Sequence, residues 1–337
     1  MSMDDQLFLG FDGGQSGSRA VLVDGAGHIV ETASGPAFDH LNAVGGVDKI
    51  RRAFGACLEV PGIRNAAVKS AFFGLTGLCS PEAPESGPLR EILGQCFTAG
   101  LVVLDNDSVS CWAGALGGEP GVVVAAGTGV VAYGEKARGL HAARLSGWGN
   151  IMGDLGGAYD IGRKALQKVT AAEDMGDDCS SLKQRVLEHF GLPDLRSLQA
   201  LLYQSESKVG LVAQCSKVVG CGAQTGDPVC VEILQNAGCE LGRLAVRTAE
   251  VLGWSDDDAV EFSMAGGVFN AGPALVESYV ETICRAYPKA AVKAPMFEPV
   301  IGAALMALSQ AGVETVRVHG LTSVRSEWGK RNEAWGV

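Results

Sequence analysis

The sequence predicts an α/β protein built from two domains. Its 337 residues exceed the usual size of one domain, and a hydrophobic content of 47% is enough for two cores. A strand, a glycine-rich turn and a returning strand occur at residues 6–24 and again at residues 121–133. After each hairpin, helical patterns alternate with short buried strands, as is typical of α/β folds. The repeated pattern therefore predicts an internal duplication, with one domain in each half of the chain.

In the first half, a β-rich start is followed by alternating strands and helices. The predicted strands are residues 6–11, 19–24, 28–33, 66–73 and 101–104, and the predicted helices are residues 47–58, residues 88–98 and a helix starting near Ser108. Because strands flank residues 12–18 on both sides, that glycine-rich segment joins two strands of a hairpin. Dinucleotide-binding and Walker loops are followed by a helix instead, so both are excluded here.

In the second half, two strands precede a long helical region. The strands are residues 121–126 and 130–133, and residues 158–252 are mostly helical in pattern. Breaks are expected near Gly191-Leu-Pro193 and Gly226-Asp-Pro228, where glycine and proline interrupt the pattern. The remaining predicted elements are a strand at 260–264, a helix at 273–287 with proline at its start, a strand at 290–293 and a helix at 300–311.

Composition and charge exclude several classes of function. The net charge of −11 and the absence of a basic patch argue against a nucleic-acid partner. No apolar run approaches the ~20 residues that span a bilayer, so no membrane role is expected. The ten cysteines form no CxxC pair and no zinc spacing, and the N-terminus lacks an apolar secretory segment. These features predict reduced thiols in a cytoplasmic protein.

Three glycine-rich segments have the residue types that bind a nucleotide. In residues 12–18, glycines let backbone N–H groups approach phosphate oxygens, and Asp12 at the strand end can hold hydrated Mg²⁺. Gly127-Thr128-Gly129 offers amides and a hydroxyl at the second turn. Residues 265–272 lie between a buried strand and a helix start, where an adenosine can pass. Taken singly, each segment fits an ordinary turn equally well. Their combination in this order is much rarer.

In this order and on these elements, the segments resemble the actin-like ATPase superfamily of sugar kinases and actin. More narrowly, the sequence is similar to the family that joins N-acetylglucosamine kinase with ATPase activators of acyl-CoA dehydratases and benzoyl-CoA reductase. The resemblance extends from Phe8 to about Ala311. Its most specific part is residues 147–159, Gly-Trp-Gly-Asn-Ile-Met-Gly-Asp-Leu-Gly-Gly-Ala-Tyr, and Gly226-Asp-Pro228 also matches.

The resemblance implies a fold and a domain division. It implies two ribonuclease H-like α/β domains, each with a mixed five-stranded sheet flanked by helices, and an interdomain cleft. The expected domains are residues 1–116 with 300–337, and residues 117–299, so the helix from Val300 returns to the first domain. ATP and Mg²⁺ are the implied cofactors, a small-molecule sugar is the implied partner, and a homodimer is the implied assembly.

The resemblance also implies roles for individual residues. Asp107 matches the catalytic base that takes the proton of the sugar hydroxyl, a task that suits a carboxylate. Its neighbours Asp105 and Asn106 match less well, and any of the trio also suits the N-cap of the following helix. The residues matched to nucleotide binding are Asp12 (also the metal ligand), Gly13, Gly14, Gln15, Ser16, Ser18, Gly127, Thr128, Gly129, Gly266, Gly267 and Asn270.

Five residues match the sugar site, namely Asn42, Asp107, Gly147, Trp148 and Asp154. Asn42 is displaced by about one residue from the family pattern, so Asp39 and His40 stay as alternatives. Trp148 fits a packed core as well as a sugar pocket. Asp154 fits either an N-cap or a carboxylate that accepts hydrogen bonds from two sugar hydroxyls.

The implied reaction is ATP-dependent phosphorylation of an amino sugar. N-acetylglucosamine, giving N-acetylglucosamine 6-phosphate, is the first expectation and glucosamine is the alternative. An ATPase activator with a bridging iron–sulfur cluster is disfavoured, because no cysteine lies between Cys111 and Cys179, where the cluster ligands are expected. A sugar-binding regulator is disfavoured by the intact Asp12, Asp107 and Asp154, and by a first strand with no DNA-binding extension before it.

Overall fold

A computed structural model describes residues 3–137 and 139–313. The chain divides into two compact units. Unit 1 joins the residues up to Pro120 with the segment that begins at Ala294, and unit 2 is Gly121–Lys293. The domain boundaries at 116/117 and 299/300 stay a prediction, and residues 314–337 of the predicted first domain lie outside the described residues.

Unit 1 is built around a mixed five-stranded sheet with the order β3-β2-β1-β4-β5. Its strands are β1 (Leu7–Gly14), β2 (Gly17–Asp24), β3 (Ile29–Gly35), β4 (Val68–Leu75) and β5 (Leu101–Asn106). Its α-helices are α1 (Gly46–Leu58), α2 (Pro61–Arg64), α3 (Ser86–Gly94), α4 (Asp107–Leu116) and, after unit 2, α11 (Pro299–Gln310). Strands β1, β2 and β3 are antiparallel neighbours, whereas β1, β4 and β5 run parallel.

The two faces of this sheet are covered differently, because successive side chains of a strand point to opposite sides. On one face Phe11 packs against Phe54 and Phe73, with ring centroids 5.2 and 5.3 Å away. The other face receives α4 and α11. Gly10 permits this approach, since a Cβ there would overlap the backbone nitrogen of Ala304 in α11.

Unit 2 repeats the strand order of unit 1. Its strands are β6 (Gly121–Ala126), β7 (Val130–Ala137), β8 (His141–Ser146), β9 (Glu261–Ala265) and β10 (Ala291–Lys293), in the order β10-β9-β6-β7-β8. With β6 matched to β1 and so on along the chain, the two orders are identical. The predicted duplication and the two mixed five-stranded sheets are therefore confirmed. Strand β8 was not predicted, because its half-exposed His-Ala-Ala-Arg-Leu-Ser sequence lacks the β-branched pattern of a buried strand.

The helical region predicted in unit 2 consists of several separate helices. They are α5 (Ala158–Met175), α6 (Ser180–Phe190), α7 (Leu195–Gln204), α8 (Lys208–Gln224) and α9 (Pro228–Val251), and α10 (Pro273–Ala286) follows β9. Both predicted breaks are present. At the second, the Asp227 side chain accepts the N–H groups of Val229 and Cys230 at 3.0 and 3.2 Å and so begins α9. Within residues 3–137 and 139–313, no helix has the length and apolar character needed to cross a bilayer.

Candidate active site

Two of the predicted site residues, Asp12 and Asp107, meet at the carboxyl edge of the first sheet. Asp12 lies beside Gly74 of β4, and Gly74 lies beside Asp105 at the end of β5. Asp107 begins α4 immediately afterwards. Gly74 keeps this edge open, since a Cβ there would overlap the Ser110 hydroxyl and lie 3.3 Å from the Asp107 Cα. The parallel register thus brings together two carboxylates that are far apart in sequence.

The groups around Asp12 shift its pKa in opposite directions. Burial raises the pKa of Asp12 to about 7, and the nearby Asp107 and Glu298 carboxylates act in the same direction, against the Arg19 guanidinium. Arg19 stands directly across the hairpin from Asp12, and its Nη1 binds Glu298 Oε2 at 2.5 Å. Sequence reasoning missed Arg19 and Glu298. The position of Arg19 opposite Asp12 follows only from the hairpin register. Glu298 immediately precedes α11, and no sequence feature near it indicates a contact with Arg19.

The Asp105–Asn106–Asp107 trio divides its tasks. Asn106 is the N-cap of α4, with its Oδ1 accepting the Ser108 N–H at 3.0 Å. Its Nδ2 donates to the Leu78 carbonyl at 2.7 Å, which ties the helix start to the loop after β4. Asp105 Oδ1 accepts the Asn106 N–H at 2.7 Å. Because Asn106 supplies the cap, the half-buried Asp107 side chain is not needed for that role.

The first hairpin has a shorter turn than the sequence suggested. Only Gln15 and Ser16 form the turn, and both are exposed, while Gly13 and Gly14 belong to β1. The carbonyls of these two glycines accept the N–H groups of Thr76 at 2.9 Å and Phe38 at 3.0 Å. Backbone groups of neighbouring loops therefore hold the hairpin tip in place.

Ser18 is not brought to the same face as Asp12. The two residues lie on paired strands, and Ser18 faces the core that contains Cys57. Its side chain is buried and its hydroxyl donates to the Pro36 carbonyl at 2.9 Å. Ser18 thus fixes the chain after β3 and does not extend towards Asp12.

Near the first hairpin, the structure brings the His40 side chain to the turn. The Gln15 Nε2 lies 3.2 Å from the His40 Nε2, and a Cβ at Gly77 would lie 2.6 Å from His40 Nδ1. Asp39 is held by Lys49, whose Nζ donates to Asp39 Oδ2 at 2.6 Å. Asn42 is exposed in the turn before α1.

The second turn exposes its backbone and receives the start of a helix. Gly127 and Thr128 are exposed. Their carbonyls accept the N–H groups of Ala158 at 2.8 Å and Tyr159 at 3.3 Å, from the first turn of α5. Gly129 faces inward, where a Cβ would overlap the Asp154 Oδ2. The predicted phosphate turn and the predicted sugar aspartate are therefore in contact within unit 2.

The segment that carries Asp154 has unusual backbone geometry. Among the residues that the structure describes, the non-glycine residues with positive φ are Ser146 at 66° and Asp154 at 55°. Such backbone strain concentrates at functional sites. Between them, Gly147 and Gly149 also have positive φ, and Trp148 is 69% exposed. Trp148 is consequently a surface residue and not part of the core.

The Asp154 carboxylate is buried and only partly satisfied. Its residue is 7% exposed, and burial raises its pKa against hydrogen bonds from backbone N–H groups of Val130, Gly149 and Gly147 and from the Ser146 side chain. Its Oδ1 has no hydrogen-bond partner in the part of the chain that the structure describes. A buried oxygen of this kind calls for a donor from a ligand or water.

The predicted adenosine segment lies beside the second turn. Strand β9 is parallel to β6, with Ala265 paired to Ala125. Gly266 has a φ of 93°, and a Cβ there would overlap the Ala126 carbonyl oxygen, so only glycine fits. A 3₁₀ helix, Gly267–Ala271, follows and precedes α10. The candidate binding residues Gly266, Gly267 and Asn270 are exposed, while Val268 and Phe269 anchor the segment in the core.

Comparison with known proteins adds the family context. Residues 9–307 match the BadF/BadG/BcrA/BcrD ATPase family. The N-acetylmuramic acid/N-acetylglucosamine kinase of Clostridium acetobutylicum is 30% identical over 211 residues, which is 63% of this chain and 68% of that protein. The N-acetyl-D-glucosamine kinase of Dictyostelium discoideum is 26% identical over 321 residues, 91% of this chain and 99% of that protein.

Solved structures share the fold. A proposed N-acetylglucosamine kinase from Chromobacterium violaceum matches with a TM-score of 0.69 at 22% identity, covering 90% of this chain and 99% of that chain. A ROK family glucokinase from Streptomyces griseus, solved with glucose and AMPPNP, matches with a TM-score of 0.56 at 19% identity and the same coverage. The fold class predicted from the sequence is thereby confirmed.

Proposed function

The chain belongs to the BadF/BadG/BcrA/BcrD ATPase family, as the sequence motifs predicted, and we propose that it phosphorylates an amino sugar with ATP. N-acetylglucosamine is the proposed substrate and N-acetylglucosamine 6-phosphate the product, because both curated relatives are named as kinases of that sugar. The observation that carries the proposal is the meeting of Asp12 and Asp107 beside a glycine hairpin. The homodimer and the cytoplasmic location stay predictions.

Nucleotide binding is proposed to use exposed residues at the two glycine turns and in the segment after β9. Gln15 and Ser16 offer donors at the first turn, and Thr128 does so at the second, beside the exposed Gly127. The Gly127 N–H itself donates to the Gly129 carbonyl at 2.9 Å. Gly266, Gly267 and Asn270 are the proposed adenosine contacts, since they are exposed on the segment that adjoins the second turn. The glycines at these points leave room for a ligand to approach the main chain.

Magnesium fits Asp12 as its protein ligand. Two adjacent carboxylates repel each other, and a divalent cation beside Asp12 would relieve that repulsion. Within the described ranges, no group of three or more His, Cys, Asp or Glu side chains is placed to hold a metal. Mg²⁺ commonly takes one or two carboxylates and completes its shell with phosphate oxygens and water, which agrees with a single aspartate. When bound, it would neutralise charge on the transferring phosphoryl group.

Asp107 is proposed as the general base. The sugar hydroxyl oxygen bonds to the γ-phosphorus of ATP, the bond to the β–γ bridging oxygen breaks, and the hydroxyl proton passes to Asp107. Positioning supports this role, because the Asn106 cap and its bond to Leu78 fix the start of α4. The backbone of Asp107, the first residue of α4, is thereby held in place.

Sugar recognition is proposed to rest on Asp154, Trp148 and Gly147. The unpartnered Oδ1 of Asp154 suits a sugar hydroxyl donor. The exposed indole of Trp148 offers a flat apolar surface for one face of a pyranose ring. Asn42 stays in the proposal as a further contact, and His40 joins it because it lies at the first turn.

A sugar panel tests the proposed function. ADP release is followed with Mg-ATP and, in separate reactions, N-acetylglucosamine, glucosamine, glucose, N-acetylmannosamine and N-acetylmuramic acid. The expected result is the highest kcat/KM for N-acetylglucosamine, with the new phosphate on its C6 oxygen by NMR. ADP release that no sugar accelerates would contradict the proposal and indicate an ATPase without a sugar acceptor. A higher kcat/KM for glucosamine would keep the reaction and replace the substrate.

A further inference from the structure

Asp154 fills the space that a side chain at Gly129 would take. A Cβ on Gly129 would overlap the Asp154 Oδ2, and its Cγ would lie 3.3 Å away. The carboxylate is buried at this point, with 7% of the residue exposed. Gly129 and Asp154 therefore form a matched pair in which each limits the position of the other.

The segment around Asp154 is tied to the second turn at both ends. At its start, the Gly147 N–H donates to the Val130 carbonyl at 2.8 Å. At its end, the Ala158 N–H donates to the Gly127 carbonyl, also at 2.8 Å. Asp154 lies between these two ties, and the Val130 N–H is among the groups that hydrogen-bond to its carboxylate. The Asp154 side chain therefore contacts the second turn from a segment that is hydrogen-bonded to that turn on both sides of Asp154.

We infer that Asp154 is a positioning residue for the second glycine turn, in addition to any contact with the sugar. Contact with Gly129 and Val130 holds Gly127–Gly129 in one conformation, so less freedom is lost when the turn binds a nucleotide. Oδ1 is the oxygen left for a substrate hydroxyl. The inference rests on the proposed function, because it takes this turn as a nucleotide contact.

The first test measures nucleotide binding without sugar. Binding of AMPPNP with Mg²⁺ is measured by calorimetry for the wild type, Asp154→Asn and Asp154→Ala. Asparagine keeps the shape but loses the charge that the surrounding N–H groups favour, so about tenfold weaker binding is expected. A residue that contacts only sugar would leave AMPPNP affinity within twofold, and that outcome would overturn the inference.

The second test uses the contact itself. Gly129→Ala places a methyl group against the Asp154 carboxylate and is expected to weaken AMPPNP binding about fivefold or more. In the Asp154→Ala background the same methyl meets only a Cβ about 3.9 Å away, so the additional loss should fall below twofold. Equal losses in both backgrounds would overturn the inference, since the methyl would then act on the nucleotide directly.

Asp160→Asn is the matched control for a general loosening of the segment. Asp160 is also buried in unit 2, but its carboxylate faces Arg163, Lys164 and the Gly156 N–H instead of the turn. Its variant should lose thermal stability and keep AMPPNP affinity. A loss of affinity equal to that of Asp154→Asn would overturn the inference. If the wild type binds AMPPNP but phosphorylates no amino sugar, the proposed function fails while the Asp154 comparison still decides the inference.

Discussion

The two glycine hairpins occupy the same place in two identical strand orders, yet they obtain their carboxylates differently. In the first, β1–β2, Asp12 lies on the hairpin strand itself, opposite Arg19. In the second, β6–β7, the strands carry no acid beside the turn, and Asp154 comes from a separate segment after β8. The shared strand order thus determines where the two turns lie, whereas the carboxylate beside each turn comes from a different part of its unit.

The connections after the third strand explain the difference. In unit 1 the chain passes from β3 to β4 through the helices α1 and α2. In unit 2 the equivalent connection, from β8 to β9, contains residues 147–157 and the helices α5–α9. The extra chain length folds back on the second turn through α5. The first hairpin is therefore stabilised mainly by neighbouring loops, and the second by a long insertion.

The largest expected effect on activity distinguishes Asp107, the proposed general base, from the neighbouring Asp105. Asp107→Asn should lower kcat by at least ~100-fold with little change in the KM for ATP, because the general base is lost while nucleotide contacts remain. Steady-state kinetics with N-acetylglucosamine would measure this. Asp105→Asn is the control, since Asp105 accepts the Asn106 N–H and has no proposed chemical role. Activity of Asp107→Asn within a few-fold of the wild type would exclude Asp107 as the base.

Acidic residues at this sheet edge could be predicted from the sequence, because Asp12 comes at the end of an apolar run and the Asp105–Asn106–Asp107 trio comes directly after another. The choice of Asp107 within the trio came from the family resemblance. The two-domain α/β class and the duplicated hairpin could be predicted from the same pattern, since glycine turns between apolar runs mark hairpins locally. The two five-stranded sheets were predicted from the family resemblance. The orientation of Ser18 could not be predicted. A two-residue turn continues the strands to Gly14 and Gly17, and strand alternation then turns Ser18 away from Asp12.

Contacts between distant segments were beyond the sequence pattern. Arg19 donates a hydrogen bond to Glu298, which is 279 positions away in the sequence. No sequence pattern near either residue predicts this pair. The contact of Asp154 with Gly129 depends on how residues 147–157 fold back, which spacing alone does not give. The sequence therefore predicted the groups that follow from local structure, and the structure supplied those that depend on packing.

The next largest expected effect is on the pH dependence of stability, which tests the raised pKa of Asp12. The pKa of Asp12 is about 7 in the folded protein, above the ordinary 3.8. Between these values the folded state holds a proton that the unfolded chain has released, so rising pH lowers the free energy of unfolding. Asp12→Asn lacks this loss. It should be more stable than the wild type at pH 8, by on the order of 2 kcal/mol, and should lose that advantage at pH 4.

Urea unfolding at pH 4 and pH 8, with EDTA and no nucleotide, measures the difference. Asp107, Arg19 and Glu298 are the charged groups that act on Asp12, and they are present in both proteins. The difference between the two pH profiles is therefore expected to follow Asp12. Parallel profiles for the wild type and Asp12→Asn would show that Asp12 titrates normally and that the first hairpin carries an ordinary ionised aspartate.

The smallest effect distinguishes two serines of the first hairpin that the sequence treated alike. Ser16 is exposed in the turn, so Ser16→Ala should raise the KM for ATP about two- to fivefold and leave thermal stability unchanged. Ser18 is buried against Pro36, so Ser18→Ala should cost about 1 kcal/mol of unfolding free energy and leave the KM for ATP unchanged. Kinetics and urea unfolding on both variants would measure the two effects. The opposite result, with Ser18→Ala raising the KM, would mean that β2 presents its other face to the nucleotide. The strand register that pairs Asp12 with Arg19 and places Ser18 on the opposite face of the sheet would then be wrong.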